Sequence, residues 1–381
     1  MGIKGIIVLS FVVLFLGGCA PRHPVMVEDI QPEPGDFFSG KGHVLKPQDL
    51  VDQIRDKDYI LIGESHDNPC DHRVQARIID LLGQAGVDTV IALEMVNVTK
   101  QNVLDEFNQG LINLEELPEK LEWEQNWGHD FELYRPIFKK AVEHKIPVMA
   151  LNAPQAVVRK ISHYGLEGLD NEDWQYLPDE IIPPRQEQLE YLKMQFEVHE
   201  QFIPEDRADF EHFIQAQSAW DTQMAAMALH WREKTSSKLV ILAGLDHVRL
   251  GWGIEHRLNI ISPDEDIARI VPVRDPADIN KNDPFYFFCP SAARERVRFG
   301  LLFTTDNDQI VLRGVIPGSS ADRAGLRSGD RIVSAGGMEA TQAEDLHRAA
   351  KRAVQEETGL KLEVIRDEES KSFELALPGE E

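Results

Sequence analysis

Four short apolar runs, rich in Val, Ile and Leu, lie at residues 59–62, 89–93, 147–151 and 238–243. None alternates apolar with polar residues, which is typical of strands buried on both faces of a parallel sheet. The long segments between these runs have helical periodicity, at residues 74–82, 103–121, 133–143 and 186–232. Strands and helices in this order predict an α/β domain with a mainly parallel sheet flanked by helices. A fifth run, at residues 267–273, is expected to close the sheet.

The N-terminus has the three parts of a secretory signal, with Lys4 as its charge, an apolar run over residues 6–16, and small residues before Cys19. The apolar run is too short for a stable membrane span. We therefore expect residues 1–18 to be a signal peptide.

Leu16-Gly17-Gly18-Cys19 resembles the bacterial lipobox, in which cleavage precedes the cysteine and acyl chains are added to it. Multiple acylation at Cys19 would anchor the protein firmly to a membrane. An incidental cysteine behind an ordinary signal is the alternative. The residue after Cys19 is Ala20 and not an aspartate, which resembles the outer-membrane sorting pattern of Gram-negative lipoproteins. The expected location is the outer membrane, on its periplasmic side or its surface.

Changes in composition divide the rest of the chain. Residues 19–45 are proline-containing and are expected to be a flexible tether. Residues 46–275 hold the α/β pattern, and residues 276–295, rich in Pro, Asn and Asp, are predicted to be a linker. Residues 296–381 are expected to form a small β-rich unit.

Charge and cysteine content narrow the possible partners. The formal net charge is -25, from 65 acidic and 40 basic residues, and a polyanion would be repelled from such a surface. Nucleic-acid binding is therefore not expected. Besides Cys19, the chain has only Cys70 and Cys289, which can pair in an oxidising compartment. The sequence leaves open whether they do.

Polar residues follow each of the four apolar runs. The run ends are Gly63-Glu64-Ser65-His66, Glu94, Asn152-Ala153-Pro154 and Gly244-Leu245-Asp246-His247. Ligands of open parallel sheets bind outside the carboxyl ends of the strands. We therefore expect two histidines, two glutamates and an asparagine to face one crevice. The alternative is ordinary loop capping, with His66 and His247 hydrogen-bonded to Glu94 and Glu64.

Two imidazoles and two carboxylates allow three kinds of chemistry. They can bind a divalent metal that keeps a position open to water. A glutamate-oriented histidine can also act as a general base without metal. The same groups can line a cofactor pocket that holds an iron centre or its propionates.

Further motifs occur in order along the chain: Asp71-His72-Arg73-Val74-Gln75, Ala92-Leu93-Glu94-Met95, Trp127 with Tyr134-Arg135-Pro136, Ala150-Leu151-Asn152-Ala153-Pro154 with Arg159, and Trp220-Asp221 with Met224-Ala225. Together with the two Gly-x-x-His motifs, they resemble the ChaN family of haem-binding lipoproteins over residues 47–275. That family is linked to iron uptake and lies within the wider Tiki and erythromycin-esterase-like group.

The resemblance implies haem as the cofactor, enclosed by a homodimer, with a tyrosine on the iron. Tyr134 lies in a matching segment and is the candidate ligand. The other expected cofactor-binding residues are His66, His247, Asn152 and Arg159. Alternative ligands with weaker support are Tyr164, Tyr191, His72, His129, His163 and His199. Residues 224–228, which include Met224 and Met227, are expected to be a packed helix face and not a cofactor site.

Tiki relatives imply a different function, that of a metal-dependent peptidase with two Gly-x-x-His motifs. In this interpretation, Glu64, His66, Glu94 and His247 are the metal-binding and catalytic residues. The metal would be a divalent ion.

The C-terminal unit contains Phe299-Gly300-Leu301-Leu302-Phe303 and, further on, Ala324-Gly325-Leu326-Arg327-Ser328-Gly329-Asp330-Arg331-Ile332. It resembles a bacterial PDZ domain, which implies that a peptide or protein C-terminus adds as a strand beside the Gly300 loop. The amides of Gly300, Leu301 and Leu302 would receive the carboxylate, and Leu301 and Phe303 would face the apolar pocket. Leu302 stands where PDZ loops have a second glycine. The alternative is a domain used only for intramolecular docking or dimerisation.

The sequence therefore predicts a membrane-anchored haem-binding lipoprotein with a peptide-binding module. A metal-dependent hydrolase of the Tiki type is the alternative. A pure interaction scaffold is a third possibility, which the polar strand ends disfavour.

Overall fold

The computed structural model describes residues 26–200, 209–291, 299–306 and 309–377, so the predicted signal peptide and Cys19 lie outside it. The described chain forms an α/β domain followed by a smaller β-rich domain. This arrangement confirms the predicted fold class.

The first domain is built on an eight-stranded sheet. Its strands are β1 (Phe37–Ser39), β2 (Val44–Leu45), β3 (Tyr59–Glu64), β4 (Thr89–Asn97), β5 (Val148–Asn152), β6 (Lys238–Gly244), β7 (Ile267–Val273) and β8 (Phe285–Phe288). The order across the sheet is β2-β1-β8-β7-β3-β6-β4-β5. The six strands from β8 to β5 are parallel, while β1 and β2 are antiparallel additions at one edge.

Helices cover both faces of this sheet. They are α1 (Pro47–Ile54), α2 (Pro69–Gln84), α3 (Gln101–Asn108), α4 (Leu117–Lys120), α5 (Trp123–Asn126), α6 (Phe131–His144), α7 (Gln155–Tyr164), α8 (Gln186–Glu200), α9 (Phe210–Thr235), α10 (Leu245–Val248) and α11 (Ile254–Ile261). The helix predicted over residues 103–121 divides into α3 and α4, and Gly110 between them adopts φ +73°. None of the helices in the described ranges combines the length and the apolar character that a membrane crossing needs.

The buried core explains why the strands were recognisable. All residues of β3 and β4 are buried, because helices pack on both faces. One face packs against α1, α2, α3 and α6, and the other against α9 and α11. Met224, Ala225 and Ala228 are fully buried on the second face, which confirms the predicted packed helix face.

The predicted tether and linker boundaries are wrong in part. Phe37 and Phe38 lie within the predicted tether, yet they are 1% and 0% exposed in β1. The predicted linker contains β8, whose Phe287 is also fully buried. Burial of Phe37, Phe38 and Phe287 stabilises β1 and β8 in the sheet, because each Phe removes a large apolar area from water.

A disulfide joins Cys70, near the start of α2, to Cys289, just after β8, with their Cα atoms 5.8 Å apart. Asn68, which caps α2 by accepting from the Cys70 amide, also donates its side-chain amide to the Pro290 carbonyl at 3.0 Å. The chain leaving the first domain is thus fastened beside the loop that carries His66.

The second domain is an antiparallel sheet closed by two helices. Its elements are β9 (Leu301–Asp306), β10 (Gln309–Val315), α12 (Ser320–Ala324), β11 (Arg331–Ala335), β12 (Met338–Glu339), α13 (Ala343–Gln355), β13 (Leu360–Arg366) and β14 (Glu369–Leu375). The strand order is β14-β13-β11-β10-β9, with β12 paired to β11, so β9 lies at an edge.

Candidate functional site

Three strands bring polar side chains to one edge of the large sheet. β3 ends at Glu64, β4 carries Glu94, and β5 ends at Asn152. Both glutamates are only 1% exposed. The Asn152 side-chain amide donates to the Glu94 backbone carbonyl at 3.0 Å. The crevice expected at the carboxyl ends of the strands is therefore present.

Glu64 organises the first group of side chains. Its Oε1 lies 2.5 Å from Nδ1 of His66, and its Oε2 lies 3.5 Å from Nε2 of His72. The Tyr134 hydroxyl lies 3.4 Å from Glu64 Oε1 and accepts a hydrogen bond from the Trp127 indole at 3.0 Å. The His66 side chain is 32% exposed, whereas that of His72 is fully buried. One accessible imidazole is thus backed by a carboxylate that buried rings hold in place.

His247 belongs to a second, deeper group. Its Nδ1 lies 2.7 Å from Oδ1 of Asp221 on α9, and its Nε2 lies 3.5 Å from Oε1 of Glu94. Asp221 also accepts from the Gln188 amide at 3.0 Å and lies 3.4 Å from the Arg257 guanidinium. Arg257 is 0% exposed, so its charge depends on this network.

Gly244 lies where the two groups meet. Its N–H donates to Oε2 of Glu94 at 2.6 Å. A Cβ at this position would lie 2.8 Å from Cε1 of His66, closer than real Cβ contacts come. The missing side chain therefore leaves the space that the His66 ring fills.

Aromatic rings surround His66 at the mouth of the crevice. Its ring centroid lies 4.7 Å from that of Trp127 and 5.1 Å from that of His129. Behind this mouth is a pocket of about 320 Å³. Its polar lining includes His66, Glu94, Asn97, His129, Asn152 and Arg159, and its apolar lining includes Met95, Trp127, Ala153, Val158 and Trp220.

The protonation states of the three histidines differ. Burial opposes charge on His66, but the hydrogen bond and charge of Glu64 outweigh it and raise the pKa to about 8. Burial likewise opposes charge on His247, and the charges of Glu94 and Asp221 raise its pKa to about 9. Burial and the positive charge of His66 both oppose charge on His129, and together they lower its pKa to about 4. At neutral pH the mouth therefore pairs cationic His66 with neutral His129.

The pKa values of Asp221 and Tyr134 are also shifted, and both shifts favour the protonation states described for the histidines. Burial would raise the pKa of Asp221, but the charges of Arg257 and His247 lower it below its usual value. Burial, reinforced by the charge of Glu64, raises the pKa of Tyr134 well above its usual value. Tyr134 therefore stays a neutral phenol.

Among the residues that the structure describes, three buried oxygens of the site find no hydrogen-bond partner: Glu64 Oε2, Glu94 Oε1 and Asn152 Oδ1. Buried acceptors of this kind usually indicate a ligand, a water or an ion. The four predicted metal ligands, however, do not form a tight cluster. Within the described ranges, the one group of three such side chains whose ligand atoms all lie within 4.8 Å of one another is Asp80, Glu143 and His144, elsewhere on the surface.

The prediction that Tyr134 is the iron ligand does not fit the structure. Tyr134 is 1% exposed and lies behind Trp127, outside the pocket lining. It supports Glu64 instead. Of the alternatives, Tyr164 is 64% exposed and outside the lining, and the side chain of His199 lies outside the described residues.

The other alternative ligands also separate by position. Tyr191 donates to Asp246 at 2.8 Å, and His163 bonds to the Arg159 carbonyl at 2.8 Å, so both are engaged outside the pocket lining. His129 faces the pocket directly. It is the one alternative that gains support.

Sequence reasoning did not assign Asp221, Arg257 or Trp127 to the site. A lone acid on the apolar face of α9 is a usable signal, since unpaired acids are almost never fully buried. The pairing of Asp221 with Arg257 had no such signal, because α9 and α11 meet only in the folded state.

The second domain has the expected peptide groove. Gly300 adopts φ +88°, and a Cβ there would lie 2.1 Å from the Ser319 side chain, so this loop requires glycine. Leu301 and Phe303 pack partly against the domain core, while Leu302 is 49% exposed. The groove between β9 and α13 is lined by Leu301, Phe303, Leu346 and Ala350 among others.

Comparison with known families and structures adds to this geometry. Residues 50–258 match the family model described as haem-binding uptake, Tiki superfamily, ChaN, and residues 311–364 match a PDZ domain model. The chain is similar to ChaN of Campylobacter jejuni, whose solved structure is described as showing cofacial haem binding. The two are 19% identical, with 66% of this chain and 95% of that chain covered and a TM-score of 0.53. This likeness shows a shared fold.

Two other solved structures resemble parts of the chain. The type III effector HopBA1 is 13% identical over 64% of this chain and 93% of that chain, with a TM-score of 0.39. The HtrA3 PDZ domain is 27% identical over 21% of this chain and 83% of that chain, with a TM-score of 0.19. Among curated proteins, no match was found.

Proposed function

We propose that this chain, which belongs to the ChaN family of haem-binding uptake proteins in the Tiki superfamily, binds haem in the pocket behind His66 and serves haem or iron uptake. The observation that carries the proposal is the family match over residues 50–258, which spans the strands and loops that build the pocket.

The side chains present suit haem. A porphyrin requires apolar walls, a ligand for its iron and cations for its propionates. Trp127, Met95 and Val158 supply apolar wall, and His66 and His129 supply imidazoles at the mouth. Arg159 is exposed at the same rim and donates to Gln155 at 2.7 Å.

We assign the residues as follows. Neutral His129, or His66 after its ring has lost a proton, would hold the iron, and Arg159 would hold a propionate. Bound haem would supply a redox-active or transferable iron centre. Glu64 orients His66 through the 2.5 Å hydrogen bond, and Trp127 covers the buried Tyr134 behind it.

Haemin titration of the purified chain tests the proposal. We expect a saturable Soret band that weakens at least tenfold in affinity in His129→Ala or His66→Ala. Tyr134→Phe should leave the affinity within twofold, and His230→Ala, which changes an exposed histidine on α9, is the matched control. Haemin that binds all four variants like the parent, or does not saturate, would contradict the proposal. Sedimentation with and without haemin tests the homodimer that the family resemblance implies.

A hydrolase is the second candidate, and one observation favours it. His66 and Glu64 form a short hydrogen bond beside buried carboxylate oxygens of Glu64 and Glu94 that accept no hydrogen bond from the described part of the chain. Above the His66 pKa of about 8, where its ring is neutral, such a pair can take a proton from a water or hydroxyl. If the chain hydrolyses esters or peptides and Glu64→Gln abolishes this while haemin does not bind, hydrolysis is the function. Elemental analysis of the parent and His66→Ala then tells whether a divalent metal takes part.

We also propose that Cys19 carries a lipid anchor to the outer membrane. The support is the Leu16-Gly17-Gly18-Cys19 sequence, together with a disulfide typical of oxidising compartments. Metabolic labelling with a radioactive fatty acid should mark the parent and not Cys19→Ser. Equal labelling, or equal recovery from the outer-membrane fraction, would contradict the anchor.

A further inference from the structure

We infer that a polypeptide C-terminus bound in the groove of the PDZ domain lies across the mouth of the haem pocket, so that the peptide and haem exclude each other. The inference rests on the proposed haem function for its second half. Its first half, the position of the peptide, depends only on the arrangement of the two domains.

The groove and the pocket mouth are walls of one cavity. This cavity, of about 1000 Å³, is lined on one side by Leu301, Phe303 and Leu346 of the PDZ domain. On the other side it is lined by Trp127, His129 and Arg159 of the α/β domain. A peptide added to β9 therefore faces the residues that surround the haem pocket.

The smaller pocket opens into this cavity through shared residues. Trp127, His129, Gln155 and Arg159 line both spaces. His129 is one of the two histidines assigned to the iron, and Arg159 is the residue assigned to a propionate. A ligand that extends from either space into the other contacts these same side chains.

Ion pairs hold the two sides of the cavity against each other. Lys351 lies 3.3 Å from Asp130, and Arg348 lies 3.6 Å from Glu124, so α13 faces the segment that carries His129. Both pairs are partly exposed and contribute little individually. They join the two domains in the orientation in which the groove faces the mouth.

The occupant is defined by the groove itself. Within the described ranges β9 is an edge strand that pairs on one side with β10, and Gly300 directs a backbone turn beside it. Such an edge accepts an extended segment by main-chain hydrogen bonds, and apolar lining selects an apolar final residue. The partner is therefore a polypeptide with a free terminal carboxylate and an apolar last side chain.

The volume of the smaller pocket indicates whether the peptide strengthens or weakens haem binding. The pocket of about 320 Å³ is at the lower end of the sizes that hold a small ligand, so a plate as large as haem must extend into the shared cavity. A peptide on β9 occupies that space. Binding of one therefore weakens binding of the other, by the same factor in both directions.

The test uses the full chain and a panel of fluorescent decapeptides that end in Val, Leu, Ile, Phe or Ala with a free carboxylate. We expect at least one to bind, and saturating haemin to weaken it at least fivefold. The same peptide should weaken haemin by an equal factor in a Soret titration. The amidated form of the best peptide is the matched control and should bind at least tenfold more weakly.

A second measurement does not need haem. Benzophenone placed three to six residues from the peptide C-terminus should cross-link to Trp127, His129 or Arg159, as mapped by mass spectrometry. Haemin that fails to bind would refute the proposed function while these cross-links still support the peptide position. Cross-links confined to residues 299–377, peptide affinity unchanged by bound haemin, or no binding by any peptide would overturn the inference.

Discussion

The two Gly-x-x-His motifs have the same spacing and follow neighbouring strands, yet their histidines differ in access. The His66 side chain is 32% exposed and lines the pocket, whereas that of His247 is 10% exposed and lies behind it. His66 pairs with a strand residue, Glu64, while His247 pairs with Asp221 from a helix. The motif thus sets the position of each histidine just after the end of its strand. The helix packed next to it decides whether that histidine meets a ligand or supports the site.

The comparison predicts different costs for removing each partner. Glu64 pairs with the partly exposed imidazole of His66, whereas Asp221 neutralises two buried cations, Arg257 and His247. We expect the buried network to dominate stability and the exposed pair to dominate binding.

The largest effect is expected from Asp221→Ala. It leaves the fully buried Arg257 without its carboxylate, and breaking a buried ion pair in this way costs about 3–5 kcal/mol. Urea denaturation at pH 7 measures the loss. Asp246→Ala removes an exposed acid next to the same histidine and should cost less than about 1 kcal/mol. Equal losses in the two variants would show that His247 is not held by a buried network.

A smaller effect is expected from Gly244→Ala, which tests the space between the two histidines. The new Cβ would lie 2.8 Å from the His66 ring, and overpacking of this kind costs about 1–3 kcal/mol. Haemin affinity should fall as well, because His66 must move. Gly314→Ala, where the nearest atom is Leu302 Cδ1 at 3.7 Å, is the control and should change neither property. An unaltered Gly244→Ala variant would mean that His66 does not pack there.

Tyr134→Phe sharpens the assignment of the rings behind His66. It removes the acceptor of the Trp127 indole N–H, at a cost of about 1 kcal/mol. Thermal or urea unfolding gives this value, and Tyr164→Phe, at an exposed residue, should give a change near zero. A Soret band lost only in Tyr134→Phe would restore tyrosine as the iron ligand.

A change of pH tests the same network without removing a side chain. The pKa values of His66 and His247 are raised to about 8 and 9, so their stabilisation is complete below pH 6.5 and is lost as pH rises through these values. The pKa of His129 is lowered to about 4, so its contribution to stability is present above pH 6.5 and is lost as pH falls to 4. Imidazole NMR titrations should give these midpoints, and three midpoints near 6.5 would contradict the network.

The sequence predicted the parallel strands well because each is a buried run without alternation. Residues 238–243, for example, became β6 (Lys238–Gly244). It also placed Glu64 and Glu94 at one sheet edge, since strand ends converge by topology. These features depend on local pattern and on connection rules.

What the sequence could not predict depends on contacts between distant segments. The pair Asp221 and Arg257 joins two helices, and the burial of Phe38 requires a strand more than two hundred residues away in the chain. Tyr134 was assigned to iron by family resemblance, but the packing of Trp127 over it is a property of one loop conformation. Long-range packing decides such roles, and no local pattern encodes it.

The fastening of Pro290 beside the His66 loop has a further consequence for encounter rates. Nine peptide steps separate Pro290 from Phe299, and at roughly 3.3–3.6 Å per residue they reach at most about 30 Å. Even with the ion pairs between the domains broken, Phe299 at the start of the second domain would stay within that distance of Pro290. Any polypeptide bound by the second domain would then be held near the pocket at an effective concentration on the order of millimolar. Its encounter with the pocket would depend on its capture by the second domain and no longer on free diffusion.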